Sequence, residues 1–191
     1  PEKGMLTLKP KNLSFQKAAA LPIGGISALY LLKKATIQAG DKVLIYGASG
    51  SVGSYAVQLA KHFGAHVTGV CSTWNLELIK SLGADELIDY TKSDILDTDE
   101  TYDVVFDTVG KFPGSKAKRL LSEKGRYIST HSSPVKQEPA DLQLIKELAS
   151  QGALNPVIDK IYMLDGIADA HAYVETGRKK GNLVIQIHTK A

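Results

Sequence analysis

The chain has 191 residues, of which 43% are hydrophobic and 23% charged, and its formal net charge is +3 at pH 7. This length and hydrophobic content suffice for one substantial core, which excludes a disordered chain, and scattered basic residues without interleaved aromatic residues exclude a nucleic-acid partner from the expectations. The single cysteine, Cys71, excludes an intramolecular disulfide framework and a cysteine-rich zinc site within this sequence.

The cellular compartment is predicted from the apolar runs, the N-terminus and the cysteine content. No uninterrupted apolar run has the length needed to cross a bilayer, and the N-terminus shows no charged-then-apolar signal pattern. With one cysteine, this predicts a cytoplasmic protein in a reducing compartment, without a membrane partner. The sequence begins with Pro1 instead of methionine, which suggests a piece of a longer chain.

The N-terminal part is predicted to contain short, interrupted elements. Residues 1–13 are rich in lysine and proline and predict a connecting segment without a core of its own. Ser14 is a candidate N-cap of a short helix that Pro22 is expected to end. Helical apolar spacing then returns over residues 26–35.

The next stretch has the strongest functional pattern. Residues 43–46 form an apolar run typical of a strand buried on both faces, and they lead into glycines 47, 50 and 53 and a helical pattern. Glycines there allow a sharp turn, close approach of a phosphate to the backbone and close helix–strand packing. We therefore expect the N–H groups of residues 51–53, at the positive end of the helix dipole, to bind a dinucleotide pyrophosphate. The alternative is a structural turn that uses the glycines only for packing.

The remaining chain alternates predicted strands and helices. Strands are predicted at 66–70, 86–89, 102–106, 126–129, 157–164 and 183–187. Helices are predicted at 52–63, 76–82, 115–121, 141–151 and 165–176, with a polar loop at 91–101 and a turn at 122–125. Unalternated apolar strands between helices are typical of a parallel sheet covered on both faces. The predicted fold is α/β, a doubly wound parallel sheet of the Rossmann type in three αβα layers, over residues 14–191.

The end of the second strand bears on the cofactor. An NAD-binding pocket usually has an acidic side chain there, which accepts from the ribose 2′-hydroxyl. This sequence has Ser72 and Thr73 instead, so no carboxylate from this strand repels a 2′-phosphate and two hydroxyls can donate to it. The pattern favours NADP(H). Alternatively, either residue is only the N-cap of the next helix.

Five motifs in this order resemble the medium-chain dehydrogenase/reductase superfamily, and within it the zinc-independent quinone oxidoreductases. They are Gly-Ala-Ser-Gly-Ser-Val-Gly (47–53), Cys-Ser-Thr-Trp-Asn (71–75), Leu-Gly-Ala-Asp-Glu-Leu-Ile-Asp-Tyr (82–90), Val-Val-Phe-Asp-Thr-Val-Gly (104–110) and Gly-Arg-Tyr-Ile-Ser-Thr (125–130). The resemblance covers nearly the whole chain.

The resemblance implies a set of cofactor contacts. The pyrophosphate would lie on Gly50, Ser51, Val52 and Gly53, the 2′-phosphate on Ser72 and Thr73, the adenosine side on Tyr90, and the nicotinamide on Val109, Gly110, Thr130 and His131. Several members have a cationic residue in place of Trp74, which stacks on adenine and helps to bind the phosphate. Asn75 and Lys92 are weaker candidates for cofactor contacts, and the alternative for both is a solvated surface role.

Other residues are less specific. The five histidines show no metal-ligand spacing, and His131 is of interest because it follows the fifth strand. Asp107 is either a turn-former or a catalytic group. Zinc-dependent relatives have a cysteine or carboxylate ligand in the segment resembling residues 21–27, whereas this chain has Gly24, so no metal is expected. Ser27 is placed similarly to a hydroxyl residue that approaches the nicotinamide in relatives. Its alternative role is that of a helix-start residue.

The resemblance further implies an N-terminal, barrel-like catalytic domain that residues 1–13 cannot form. Roughly 100 or more residues, one domain, are therefore expected outside this sequence, with residues 157–164 packed on that domain. The whole protein is expected to be a homodimer.

The implied activity is NADPH-dependent hydride transfer to quinones or related enones and carbonyls, which are small-molecule substrates. No catalytic side chain is assigned, and the chain alone is expected to bind NADPH weakly and to turn over poorly or not at all. The alternatives are a zinc-type alcohol dehydrogenase and a non-catalytic NADPH-sensing module.

Overall fold

A computed structural model of the chain describes residues 5–131 and 134–187. Its helices are α1 Phe15–Lys34, α2 Ser51–His62, α3 Leu76–Ser81, α4 Gly114–Ala117, α5 Pro139–Ser150 and α6 Ile167–Glu175. Its strands are β1 Lys42–Tyr46, β2 His66–Cys71, β3 Glu86–Asp89, β4 Tyr102–Asp107, β5 Leu121–Ser129, β6 Ile158–Met163 and β7 Asn182–Gln186. His188 and the start of the predicted connecting segment lie outside the described residues.

The central sheet has five parallel strands in the order β3-β2-β1-β4-β5. Val43 of β1 pairs with Val67 of β2 on one side and with Val104 of β4 on the other. These apolar residues are fully buried, which explains why the strands show no apolar/polar alternation. The predicted doubly wound parallel sheet is confirmed.

The two faces of the sheet are covered differently. One core includes Val43, Ile45 and residues of α1, α2 and α5. The opposite core, around Leu44 and Val105, is closed by Ile95 from the loop 91–101 and by Phe112 and Leu120 near α4. The second outer layer is therefore mostly irregular chain, in which α4 is a single helical turn.

The region before β5 differs from the prediction. The helix expected at 115–121 ends at Ala117, and the turn expected at 122–125 lies within β5. Leu121 already pairs with Tyr102, after which the register shifts so that Arg126 pairs with Val104. The polar residues of the expected turn therefore lie at an irregularity in a strand whose pairing begins earlier.

Helix α1 also differs from the prediction. Ser14 is its N-cap, as expected, and its hydroxyl oxygen accepts from the Lys17 N–H at 3.2 Å. Pro22 does not end the helix, which continues to Lys34. Tertiary packing outweighs the local proline effect, because Gly24 lies against α2 and Gly25 against α5.

This continuity gives α1 a length that the sequence did not suggest. With 20 residues, it is long and apolar enough to cross a membrane by length and composition alone. Leu29 and Leu32, however, are fully buried in the core beneath the central sheet. Its packing is that of a core helix.

Strands β6 and β7 form a separate two-stranded parallel sheet. The Gly181 N–H donates to the Ser49 carbonyl at 2.8 Å, and the Asn182 Nδ2 donates to the Val157 carbonyl at 3.0 Å. The first bond attaches the small sheet to the glycine-rich turn after β1, and the second links β7 to the residue before β6.

Candidate dinucleotide-binding cleft

The cleft lies at the carboxyl ends of the parallel strands. The chain leaves β1 towards α2 on one face, whereas β4, on the other side of β1, is reached across the opposite face. Such a reversal is where open α/β sheets bind ligands. The segments that follow β1, β2, β4 and β5 meet at this edge, and they contain every sequence-predicted site residue except Tyr90, which follows β3.

The turn between β1 and α2 requires glycine at two positions. Gly47 has φ +80°, and a Cβ there would lie 2.5 Å from a methyl group of Val109. A Cβ on Gly53 would lie 2.2 Å from the Gly47 carbonyl oxygen. The turn is therefore sharp, and α2 begins in direct contact with it.

The first turn of α2 presents unpaired amides. The Gly50 N–H donates to the Gly47 carbonyl at 3.0 Å and the Ser54 N–H to the Gly50 carbonyl at 2.9 Å. Within residues 5–131 and 134–187, the N–H groups of Ser51, Val52 and Gly53 have no acceptor. Three free donors at a helix N-terminus suit an anionic group such as a diphosphate.

The side chain of Ser51 has a different role from its N–H. Its hydroxyl donates to the Asn182 Oδ1 of β7 at 2.5 Å. A Cβ on Gly24 would lie 2.6 Å from the same hydroxyl oxygen, so α1 closes this side of it. Asn182 is a residue that the sequence reasoning missed, because only the fold brings the last strand to this turn.

At the end of β2, Asn75 connects two parts of the cleft. Its Nδ2 donates to the Ser49 hydroxyl at 3.1 Å and to the Ser72 hydroxyl at 3.2 Å. Its Oδ1 is buried and has no partner in the described part of the chain. Asn75 is thus not the solvated surface residue considered above, and neither Ser72 nor Asn75 caps a helix through its side chain.

Thr73 contacts a carboxylate. Its hydroxyl donates to Asp89, the last residue of β3, and the Thr91 hydroxyl donates to the other oxygen of that carboxylate at 2.6 Å. The parallel register pairs Cys71 with Asp89, which places the carboxylate beside the end of β2. The end of β2 has no carboxylate of its own, as the sequence shows, but β3 supplies one next to Thr73. The predicted strand 86–89 could have revealed it, since parallel strands end at one edge.

A cavity of about 460 Å³ lies next to this cluster. Tyr90, 53% exposed, lines it together with Tyr46, whose ring stacks on Phe112 with centroids 5.0 Å apart. Three lysines also line the cavity: Lys92, Lys111 and Lys116. An aromatic cavity with a basic rim suits an adenosine with an attached phosphate. Tyr46 and Lys111 were not predicted, since one ends β1 and the other follows β4.

Asp107 organises the loop after β4. Its carboxylate is 1% exposed and accepts the N–H groups of Val109 at 3.0 Å, Gly110 at 2.9 Å and Phe112 at 3.0 Å. This confirms the turn-forming role among the two considered for Asp107. The loop is held so that the Val109 side chain covers Gly47.

The loops after β4 and β5 touch. Gly110 has φ +72°, and a Cβ there would lie 2.2 Å from the His131 ring. The Thr130 hydroxyl lies 3.2 Å from the His131 Nδ1. The residues predicted to line the nicotinamide are therefore brought together, although their contact with a cofactor stays a prediction.

Metal and thiol chemistry have little support in these residues. Among residues 5–131 and 134–187, no three His, Cys, Asp or Glu side chains come together as metal ligands. The described residues therefore give no support to a zinc-dependent step, and the absence of a metal from the whole protein stays a prediction.

Burial raises the pKa of the Cys71 thiol to about 11, so this thiol is protonated at neutral pH.

Comparisons with known proteins agree with this geometry. Residues 51–161 match the family model described as "Zinc-binding dehydrogenase". The chain is 41% identical to 2-methylene-furan-3-one reductase of Solanum lycopersicum and 36% identical to the chloroplastic NADPH-dependent alkenal/one oxidoreductase of Arabidopsis thaliana. Each match covers 96% of this chain and 50% of the relative, so the chain spans about half the length of these curated relatives.

The quinone oxidoreductase of Coxiella burnetii has a similar structure. It matches with a TM-score of 0.87 and 31% identity, over 95% of this chain and 64% of its own. Together with the family match over residues 51–161, this shows that the chain belongs to the zinc-binding dehydrogenase family of the medium-chain dehydrogenase/reductase superfamily, among oxidoreductases.

Proposed function

We propose that the chain is the cofactor-binding part of an NADPH-dependent oxidoreductase that transfers a hydride to quinones or to related enones and carbonyls. The observation that carries the proposal is the set of three N–H groups at the start of α2, at the point where the strand order reverses, which no acceptor among the described residues pairs. The relatives named for alkenal/one and quinone oxidoreductase activity support the substrate class.

The residues divide the binding task. The N–H groups of residues 51–53 hold the diphosphate, the Ser72 hydroxyl donates towards the adenosine-side phosphate, and Tyr90 borders the adenosine. The loops 109–110 and 130–131 orient the nicotinamide end. The cofactor supplies the hydride when bound, and no side chain of this chain is assigned as an acid or a base.

The substrate half of the cleft is part of the proposal. We propose that a catalytic domain of the whole protein closes the cleft, packs on residues 157–164 and excludes water. The chain alone then binds NADPH weakly and turns over poorly. The cytoplasmic location and the homodimer remain predictions.

The cofactor site can be tested with two variants of one residue. Ser51 is the first residue of α2, where proline is tolerated, and Gly50 before it has φ −75° and ψ −179°, which proline also permits. Ser51→Pro removes the N–H, whereas Ser51→Ala removes only the hydroxyl. We expect S51P to bind NADPH about tenfold more weakly than S51A, because a hydrogen bond to a charged group is lost.

Titration of protein fluorescence with NADPH and NADH in parallel measures this difference. Equal affinities of S51P and S51A would contradict the diphosphate site, and a wild-type chain that binds neither cofactor would overturn the proposed function. With the full-length protein, retained NADPH affinity without hydride transfer to a panel of enones would favour the sensing alternative.

A further inference from the structure

The carboxylate of Asp89 accepts three hydrogen bonds, one from Thr73 of the predicted phosphate site and two from Thr91. The Thr73 hydroxyl donates to its Oδ2, and Thr91 donates to its Oδ1 from both the hydroxyl, at 2.6 Å, and the N–H, at 3.0 Å. The Asp89 side chain is only 10% exposed. The carboxylate is therefore held in place and cannot easily turn away from a ligand beside Thr73.

These bonds use up the hydroxyl protons. A threonine hydroxyl has one proton to donate, and both Thr73 and Thr91 donate theirs to Asp89. The two hydroxyl oxygens lie 3.0 Å apart, so one hydroxyl can also donate to the other. In either arrangement each proton has an acceptor within this cluster, and the oxygens present only lone pairs to the cleft. An ionised phosphate offers acceptors alone, whereas a ribose 2′-hydroxyl can donate to such an oxygen. Thr73 thus suits the unphosphorylated ribose.

The negative charge of Asp89 also disfavours a 2′-phosphate beside Thr73. Hydrogen bonds from Thr73 and Thr91 lower the pKa of Asp89, so the carboxylate is ionised at neutral pH. A phosphate monoester also has close to two negative charges at that pH, and the two groups repel each other. Lys92 offsets this only in part, because its Nζ lies 4.0 Å from Asp89 and its side chain is 69% exposed.

Ser72 keeps the site open to the phosphorylated cofactor. Its oxygen accepts from Asn75 at 3.2 Å, and its own proton has no acceptor in the part of the chain that the structure describes. Of the two hydroxyls predicted to bind the 2′-phosphate, only that of Ser72 is available as a donor. The Ser72 hydroxyl and the lysines of the adjacent cavity then favour the 2′-phosphate, whereas the charge of Asp89 opposes it.

We propose that Asp89 is a specificity-determining residue that lowers the preference for NADPH, so that the site accepts both the 2′-phosphorylated and the unphosphorylated dinucleotide. This inference rests on the proposed function, because it concerns the same cofactor site. In an NAD-binding pocket the discriminating carboxylate usually comes from the end of the second strand, whereas here it comes from the end of β3 and acts through the hydroxyl of Thr73.

The test is the ratio of NADPH to NADH affinity in Asp89→Asn. Asparagine has nearly the same shape, removes the charge and adds N–H donors, so either the amide or a released hydroxyl can donate to the phosphate. We expect the ratio to rise about tenfold, mainly through tighter NADPH binding. Asp89→Ser removes the same charge and should change the ratio in the same direction.

Asp99→Asn is the matched control. Asp99 is exposed, lies before β4 near the opposite edge of the sheet, and its replacement changes the net charge equally. We expect D99N to keep the wild-type ratio, which separates a local effect from general attraction of a more anionic cofactor.

A double-mutant comparison tests the role of the Thr73 hydroxyl. Thr73→Val should weaken NADPH binding more in the D89N background than in the wild type, since only D89N releases the hydroxyl proton. Equal losses in both backgrounds, or ratios in D89N and D89S within about twofold of the wild type, would overturn the inference. If wild-type protein binds neither dinucleotide, the proposed function itself fails, which is a different result.

Discussion

At the scale of single residues, the existing hydrogen bonds decide what each polar side chain can offer a ligand. Ser51 and Thr73 are both hydroxyl residues at the predicted site, yet one donates to Asn182 and the other to Asp89. Asn75, in contrast, bridges Ser49 and Ser72. Residue type therefore predicts which residues meet at the cleft but does not establish which atoms are free to bind.

Asp107 allows a direct test of the loop that it organises. Asp107→Ala leaves three N–H groups without their acceptor in a buried site, and we expect a loss of about 3 kcal/mol or more in the free energy of unfolding. Urea denaturation measures it. Asp97→Ala, at an exposed position, is the control and should change stability by less than about 0.5 kcal/mol. Similar stability of D107A and D97A would show that the loop does not depend on the carboxylate.

At the scale of elements, the packing of α1 explains why the helix continues through Pro22. Gly24 lies against Tyr55 of α2, and the Tyr55 hydroxyl donates to the Ala20 carbonyl at 2.9 Å. Burial raises the pKa of Tyr55 well above its usual range, so it remains a neutral donor. The close approach of the two helices also positions Ser51 at the cleft.

Two adjacent glycines in α1 allow a matched comparison. In Gly24→Ala the new Cβ would lie 2.6 Å from the Ser51 Oγ and 2.8 Å from the Tyr55 ring, so the helices must separate. In Gly25→Ala it would lie 3.3 Å from the end of the Ile145 side chain, which can move. We expect G24A to lower the free energy of unfolding by about 1–3 kcal/mol, because the helices are overpacked. G25A should leave it nearly unchanged or raise it, because alanine favours the helix more than glycine does.

Thermal or urea unfolding of both variants distinguishes these effects. A G25A variant as unstable as G24A would mean that helix α1 cannot accept a side chain on either partner face.

The predicted elements were most accurate where the pattern and the packing agree. Strands β1 and β3 and helix α2 lie within one residue of their predicted bounds, because buried apolar strands and glycine stops are local signals. The break at Pro22 was wrong, and so was the extent of the helix predicted at 115–121, which ends at Ala117. In both places a non-local partner, α2 for α1 and β4 for β5, outweighs local propensity.

At the scale of the whole molecule, several large apolar side chains outside the cleft are exposed. Leu8 is 85% exposed, Phe15 70% and Ile187 62%. Phe15 and Ile187 border a groove of about 850 Å³ between the start of α1 and β7. An apolar surface of this kind favours association with another surface.

We therefore expect the chain by itself to self-associate as its concentration rises. Replacing Leu8 and Phe15 by lysine should shift the sedimentation coefficient towards that of the monomer without lowering the melting temperature, since both side chains are exposed. Trp74→Ser, at a residue 87% exposed at the cleft edge, is the comparison and should not shift it. A wild-type chain that remains monomeric at high concentration would contradict this expectation.

The sequence by itself determined the parallel α/β class, the glycine turn and the edge of the sheet where the predicted residues meet, because apolar periodicity and glycine spacing are local properties that survive in any environment. Only the tertiary structure decided which donors remain free. That outcome depends on strands distant in sequence: β3 brings Asp89 to Thr73, and β7 brings Asn182 to Ser51. A hydroxyl proton can be donated only once, and the fold determines the acceptor.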